Sequence, residues 1–254
     1  MIPNTRFQRD AFLMNIRSFL KKSAALLRSR IGSKWSRYYE IPASVSPVSG
    51  SIGFDRGQPI DRYYIEEFLS AHSSDIKGRT LEFGNRAYTL KFGGDKVVKS
   101  EVLCVEEGNP EATIVADLTS AHQIQSDTFD CIIMTQTLQM IYDFHSALQH
   151  LRRILKPGGV LLVTTHGISK ICRREGRDQW GEYWRFTAQS IRKIFLGYFP
   201  DEELTIEAYG NVLAAVSFLH GLAAHELKKS ELDFRDPDFE VLIAIRAVKS
   251  EDSR

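Results

Sequence analysis

A glycine, four carboxylates and two histidines fall where a chain of alternating strands and helices would bring them to one edge. Gly84 follows a strand pattern at 80–83, and a residue without a side chain lets backbone approach a ligand closely. Glu101 closes a second strand pattern at 97–102, 17 residues beyond Gly84. A carboxylate at a strand end suits the two hydroxyls of a ribose. Glu106 and Glu107 are its rivals if that strand runs longer. Asp117, after a third strand pattern at 113–116, suits an adenine amino group, with Leu118 packing the ring. Its plainer alternative is a turn or helix-capping residue. Glu82 lies inside the first strand and is costly to bury without hydrogen bonds, so it should orient the glycine loop or a ligand's amino group. His166, directly past the fifth strand pattern, titrates near neutrality and suits a general base. An ordinary loop histidine is the competing reading. His145, with Asp143, follows the fourth strand pattern and is the second candidate base.

The elements that must position these groups are clearest at 129–165. Cys131 to Met134 form a short apolar run, and residues 160–164 form another rich in β-branched side chains. Continuous runs of this kind suit parallel strands covered on both faces. Leu148, Leu151, Ile154 and Leu155 recur between them at helical spacing, and Pro157-Gly158-Gly159 ends that helix. The stretch reads as a βαβ crossover, hence an open parallel sheet with its ligand site at the carboxyl ends of the strands. A helix is expected from an Asp61 N-cap to about residue 71, with Tyr64, Ile65, Phe68 and Leu69 facing inward. Further helices fit 187–196 and 212–229, and final strands fit 205–209 and 240–248. The fold expected is α/β, a doubly wound, seven-stranded, mostly parallel sheet.

Charge divides the chain unevenly. Residues 1–40 hold nine Lys/Arg against two acidic residues, a net of +7, while the whole carries only +1. A basic arm precedes a mildly acidic body. Residues 8–31 show an amphipathic helical pattern, with Phe12, Ile16, Phe19 and Leu20 opposite Arg17, Lys21 and Arg28. Packing on the main domain and lying on an anionic membrane surface are both open for it. The body has no second basic patch, which argues against nucleic acid. Residues 41–59 are rich in Pro, Gly and Ser and read as a linker, so residues 1–50 are expected as arm and linker and 51–250 as one domain. Cys104, Cys131 and Cys172 have no paired spacing, which disfavours a disulfide framework or a zinc site. No apolar run approaches the roughly 20 residues that span a bilayer. The cytoplasm is the expected location, with peripheral contact at the membrane's inner face through residues 8–31.

Leu81-Glu82-Phe83-Gly84, Glu101, Asp117-Leu118, Phe129-Asp130 and Leu155-Lys156-Pro157-Gly158-Gly159 occur in order at compatible spacing. In this the sequence resembles the class I S-adenosylmethionine-dependent methyltransferases over about residues 52–248. More narrowly, Asp55-Arg56-Gly57, the run from Pro59 to Tyr64, Tyr88-Thr89, Phe92-Gly93-Gly94 and the run from Tyr183 to Thr187 are similar to methyltransferases of bacterial polysaccharide assembly. The resemblance implies S-adenosyl-L-methionine as cofactor, a sugar hydroxyl of a glycan or of an activated or lipid-linked saccharide as acceptor, and glycosyltransferases as partners. It assigns cofactor contacts to Glu82, Gly84, Arg86, Glu101, Asp117, Leu118 and Gln136. Asn85, Arg86 and Ala87 stand where further glycines are usual, and Arg86 would there pair with the cofactor's carboxylate. Tyr63, Tyr64, Tyr88 and Trp184 are candidates to face the sulfonium or a sugar ring. An interaction module with a silent methyltransferase fold is the alternative to an enzyme.

Overall fold

The computed structural model describes residues 45–173 and 181–250. The basic helix expected at 8–31 lies outside the described residues. Ser49–Arg254 forms a compact unit that contains every element below. In chain order these are α1 (Ile60–Ala71), β1 (Gly78–Phe83), β2 (Val97–Cys104), β3 (Ile114–Val115), β4 (Phe129–Thr135), α2 (Phe144–Ile154), β5 (Leu155–His166), α3 (Ala188–Phe195), β6 (Leu204–Tyr209), α4 (Val212–Leu219), α5 (Lys229–Leu232) and β7 (Leu242–Val248).

The strands form one seven-stranded sheet in the order β3-β2-β1-β4-β5-β7-β6. The first five are parallel, and β7 runs antiparallel between β5 and β6. Strand alternation sends Cys131, Ile133, Val160, Leu162 and Ala244 to the face covered by α1 and α4. Ile132, Met134, Leu161, Val163 and Ile245 go to the opposite face, under α2 and α3. Both faces are apolar, which is why β4 and β5 read as unbroken hydrophobic runs.

Four expectations change in detail. The Pro157-Gly158-Gly159 stretch does not precede β5 but bulges within it: Phe129 is opposite Leu155, yet Cys131 is opposite Val160. Gly158 takes φ +73°, and a side chain on Gly159 would strike the Lys156 and Phe129 carbonyl oxygens. The helix expected at 212–229 stops at Leu219, because Gly221 turns left-handed at φ +72°. The segment expected as a linker is part of the domain from Ser49 onward, where the Ser49 N–H donates to the His220 carbonyl at 2.9 Å and Arg56 ion-pairs with Glu226. Asp61 is not an N-cap. Pro59 holds that position, and Asp61 lies one residue inside the helix on its buried face. The inward-facing set of Tyr64, Ile65, Phe68 and Leu69 is as the periodicity gave it.

Leu162 is fully buried between β4, β7 and the α1 face. Leu162→Ala should lower unfolding free energy by about 2–5 kcal/mol, measured by urea denaturation; a loss below about 1 kcal/mol would contradict the packing described.

Candidate active site

Chain connections leave the sheet on opposite sides at the seam where β1 pairs with β4, which opens a crevice at the carboxyl ends of those strands. Glu82 stands one residue before the end of β1, level with Ile133 of β4. Its two carboxylate oxygens accept the backbone N–H groups of Tyr88 at 3.1 Å and Thr89 at 2.7 Å. Burial raises this carboxyl above its ordinary pKa, while the backbone donors favour the ionised form and oppose the rise. Glu82 therefore shapes the loop that follows β1.

That loop needs only one glycine. Gly84 has φ +80°, and the space where its side chain would project is open. Asn85, Arg86 and Ala87 have no positive φ, so the glycines missing there are not required by the backbone. Asn85 accepts the Ala87 N–H through its side chain, and Asn109 donates to the Gly84 carbonyl, tying the β1 loop to the β2 loop. Arg86 turns to Glu111, with Nε 3.4 Å from a carboxylate oxygen and Nη2 donating to the main-chain carbonyl at 3.2 Å.

Glu101 does not end its strand. β2 continues to Cys104, and the residue level with the end of β1 is Leu103. Glu101 sits lower, ion-paired with Arg79 and Lys99, and these cations hold its carboxyl below the usual range against the opposing effect of burial. The acidic residues that follow the strand end are Glu106 and Glu107, both exposed. Asp117 is exposed and caps the turn after β3: one oxygen accepts the Thr119 N–H at 2.8 Å and its hydroxyl at 2.9 Å. Leu118 is buried in the core under α2, so its side chain offers little surface to a ring.

The rim formed by β4 and β5 is polar. Gln136 follows β4 in a left-handed conformation (φ +52°), and its N–H donates to the Thr164 carbonyl at 2.8 Å. Its side-chain oxygen accepts from Gln139 at 3.0 Å, and Gln139 accepts from Thr165 at 2.9 Å. Its side-chain nitrogen is buried with no partner. The Gln139 carbonyl receives the N–H groups of Tyr183 and Trp184, which anchors that segment beside the rim.

His166 ends β5 with its ring against Phe218 of α4, centroids 6.0 Å apart. Only 7% of it is exposed, and Nδ1 has no hydrogen-bond partner. Burial first, then the charges of Arg185 and Arg62, depress its pKa to about 3. It is a neutral imidazole at every physiological pH. On α1, Asp61 Oδ2 and Arg62 Nη1 lie 3.4 Å apart, while Asp61 Oδ1 and Arg62 Nη1 make no hydrogen bond.

Several candidates lie elsewhere. His145 is exposed on the first turn of α2, where Nδ1 meets the Tyr198 hydroxyl at 2.8 Å; helical phase points it outward while Phe144 and Leu148 take the buried side. Tyr64 is buried and donates to the Leu232 carbonyl, and Tyr63 is held by Asp233. Trp184 donates to the Ile141 carbonyl at 3.1 Å and packs among Tyr142, Phe144 and Phe186. Asp61, Arg62, Gln139 and Arg185 were missed as site residues. Asp61 carried a signal, since it shares the helical stripe of Ile65 and Phe68 and so places a carboxylate on an apolar face.

The strand order β3-β2-β1-β4-β5-β7-β6 with an antiparallel β7 is that of the class I methyltransferase fold. The chain belongs to that family: the family described as methyltransferase domain matches residues 58–205, more than half of the 254. Among curated relatives it is similar to the ubiquinone/menaquinone biosynthesis C-methyltransferases UbiE of Klebsiella pneumoniae (strain 342) and Enterobacter sp. (strain 638), at 28% and 30% identity over 154 residues. The match spans 52% of this chain and 58% of each relative, less than two thirds of their length. Among solved structures the [4+2]-cyclase SpnF shares the fold with a TM-score of 0.50 at 17% identity, covering 89% of this chain and 92% of that one. The N-methyltransferase NodS of Bradyrhizobium japonicum WM9, in complex with S-adenosyl-L-homocysteine, gives 0.47 at 16% identity, covering 80% and 94%.

Glu82→Ala should leave the Tyr88 and Thr89 N–H groups unpaired and weaken S-adenosylhomocysteine binding by about tenfold or more, read by calorimetry; unchanged affinity would show that the loop is held by other contacts. Acid should also act through His166. Its proton is taken up near pH 6.5 in the unfolded chain but only at about 3 in the folded one. The unfolded state therefore binds more protons across that window, and stability falls as pH falls, by up to about 1.4 kcal/mol per unit. His166→Gln should flatten this dependence in urea titrations at pH 7 and pH 5, and equal slopes for both proteins would refute it.

Proposed function

We propose that the chain transfers a methyl group to a hydroxyl of a neutral, polyhydroxylated acceptor of the sugar class. The observation that carries this reading is that Gln136 Nε2 and His166 Nδ1, at the ends of β4 and β5, and Asp61 Oδ1 and Arg62 Nη1, at the start of α1, are buried polar atoms without partners. Unpaired buried polar atoms are costly and scarce, and a ligand's hydroxyls would complete their hydrogen bonding. The set holds both donors and an acceptor, which suits groups that give and receive a hydrogen bond.

The residues present fit the cofactor. Gly84 offers open space beside its backbone, Glu106 or Glu107 would take the ribose hydroxyls, Asp117 the adenine amino group, and Gln136 holds a buried donor without a partner. When bound, S-adenosyl-L-methionine supplies a methyl group already activated on a sulfonium, so the protein's task is alignment and handling of the acceptor's proton. His166, neutral and fixed by Phe218, offers a hydrogen bond that orients the acceptor. The basic stretch at 8–31 would hold such a site at an anionic surface beside glycan-assembling partners.

A second reading, methylation at carbon of a ring acceptor, is favoured by the similarity to UbiE. Radiolabelled S-adenosyl-L-methionine offered with methyl hexopyranosides and, separately, with hydroquinones decides between them. Label in an O-methyl sugar is expected; label only on ring carbon would sink the sugar reading. Asp117→Ala should weaken donor binding several-fold without changing which acceptor is used, and a changed acceptor would place Asp117 elsewhere.

A further inference from the structure

We propose that Tyr142 and Tyr183 form a platform on which a sugar ring stacks. As the seat of the methyl acceptor the platform rests on the sugar reading above; as a sugar-binding surface it does not. Both side chains are left in solvent, 71% and 56% exposed. They also touch each other, with ring centroids 5.3 Å apart and planes at 73°. Exposed apolar groups scattered singly need no explanation, but a packed pair is a patch.

Main-chain hydrogen bonds bring this pair to the carboxyl ends of β4 and β5. Tyr183 and Trp184 donate their N–H groups to the Gln139 carbonyl at 2.9 and 3.2 Å, and Phe186 donates to the His166 carbonyl at 3.4 Å. Gln139 follows β4 closely, and its side chain accepts from the Thr165 hydroxyl of β5 at 2.9 Å. Residues 183–186 therefore run across the ends of both strands, at the end of the sheet where the crevice opens. Tyr142 arrives on the connection from β4 to α2, just beyond Gln139.

The pair is held in place before any ligand arrives. Trp184 stacks beside Tyr142, centroids 5.9 Å apart and planes at 27°. The Trp184 Nε1–H is shared by the Ile141 and Tyr142 carbonyls at 3.1 and 3.2 Å, and Phe144 meets the indole edge-on. Gly181 is left-handed at φ +61°, and a side chain there would strike the ring and hydroxyl of Tyr183. Glycine at 181 thus admits that ring. Side chains fixed in this way lose little further freedom on binding.

Rings at 73° meet as two steep walls rather than as a parallel-sided slot. A flat aromatic ligand favours a slot or an offset stack on one ring. A pyranose is puckered and carries C–H bonds on its faces and around its edge, so it can meet one wall with each. Those hydrogens are polarised by the neighbouring oxygens and are drawn to the negative faces of tyrosine rings, through the same quadrupole that attracts cations. The sugar's hydroxyls project sideways into water, which an exposed platform permits.

The test loads the full chain with S-adenosylhomocysteine and reads binding of methyl hexopyranosides by saturation-transfer NMR, beside the radiolabel assay of turnover. The axial ring protons should receive the strongest saturation in the wild type. Tyr142→Ala and Tyr183→Ala should each abolish that transfer and raise KM for the sugar about tenfold. Both should keep kcat within about threefold and leave S-adenosylhomocysteine affinity unchanged, because the pair contributes orientation and no bond-making group. Tyr142→Phe and Tyr183→Phe keep the rings and should behave as wild type. Sugar methylation with KM unchanged in both alanine variants overturns the platform and leaves the sugar reading standing. Sugar binding lost in both alanine variants, with label only in hydroquinones, supports the platform and overturns the sugar as methyl acceptor. No saturation transfer in the wild type overturns the platform, and the label then decides the sugar reading by itself. Should an alanine variant fail to fold, Tyr142→Leu or Tyr183→Leu keeps bulk without a ring and carries the same expected loss.

Discussion

The site depends on the pairing of β1 with β4. Those two strands run side by side although the chain visits β2, β3 and their connections between them, so this seam is where the two halves of the sheet diverge. Glu82 is level with Ile133 at that seam, and its carboxylate sets the loop that begins two residues later. Slipping the register by one residue would turn Glu82 into the opposite face and release the loop. The apolar matching of Leu81 with Ile132 and of Ile133 with Leu162 prevents this, since both faces of the sheet are buried. The fold's stability and the placing of its loop are one constraint.

The rim uses burial for a different purpose. Core packing removes water around Asp61, Gln136 and His166, yet each keeps an atom unsatisfied. Each such atom costs on the order of 1–3 kcal/mol while no ligand is bound. A protein under selection for stability alone would fill these positions with apolar side chains. These atoms belong to the carboxyl ends of β4 and β5 and to the start of α1.

The loop after β1 shows how a family pattern can change without loss of form. A glycine-rich sequence there serves close approach and left-handed backbone. In this chain only Gly84 is left-handed, and Asn85 and Asn109 supply by side-chain hydrogen bonds the rigidity of the turn. The substitution of Asn85, Arg86 and Ala87 for glycine therefore raises no backbone conflict.

The elements were largely legible in the sequence. Apolar runs gave β4 and β5, helical periodicity gave α1 and α2, and the order of strands gave a parallel sheet, because burial on two faces or one leaves a local pattern. Element ends were less legible: the two extra residues of β2 that displaced Glu101, the Gly158 bulge inside β5 and the early stop of α4 all depend on pairing or on a single φ. Candidate residues fared according to whether their surroundings were local. Gly84, Asp117 and the level of His166 followed from neighbours in sequence. The charges of Arg62 and Arg185 act on His166 only through the tertiary fold, since Arg62 lies more than 100 residues before it along the chain. The sequence by itself determined which stretches must be buried and in what order they run. Only the tertiary structure decided which charges lose their water, and hence that His166 is a poor base, because desolvation is set by contacts that no local pattern records.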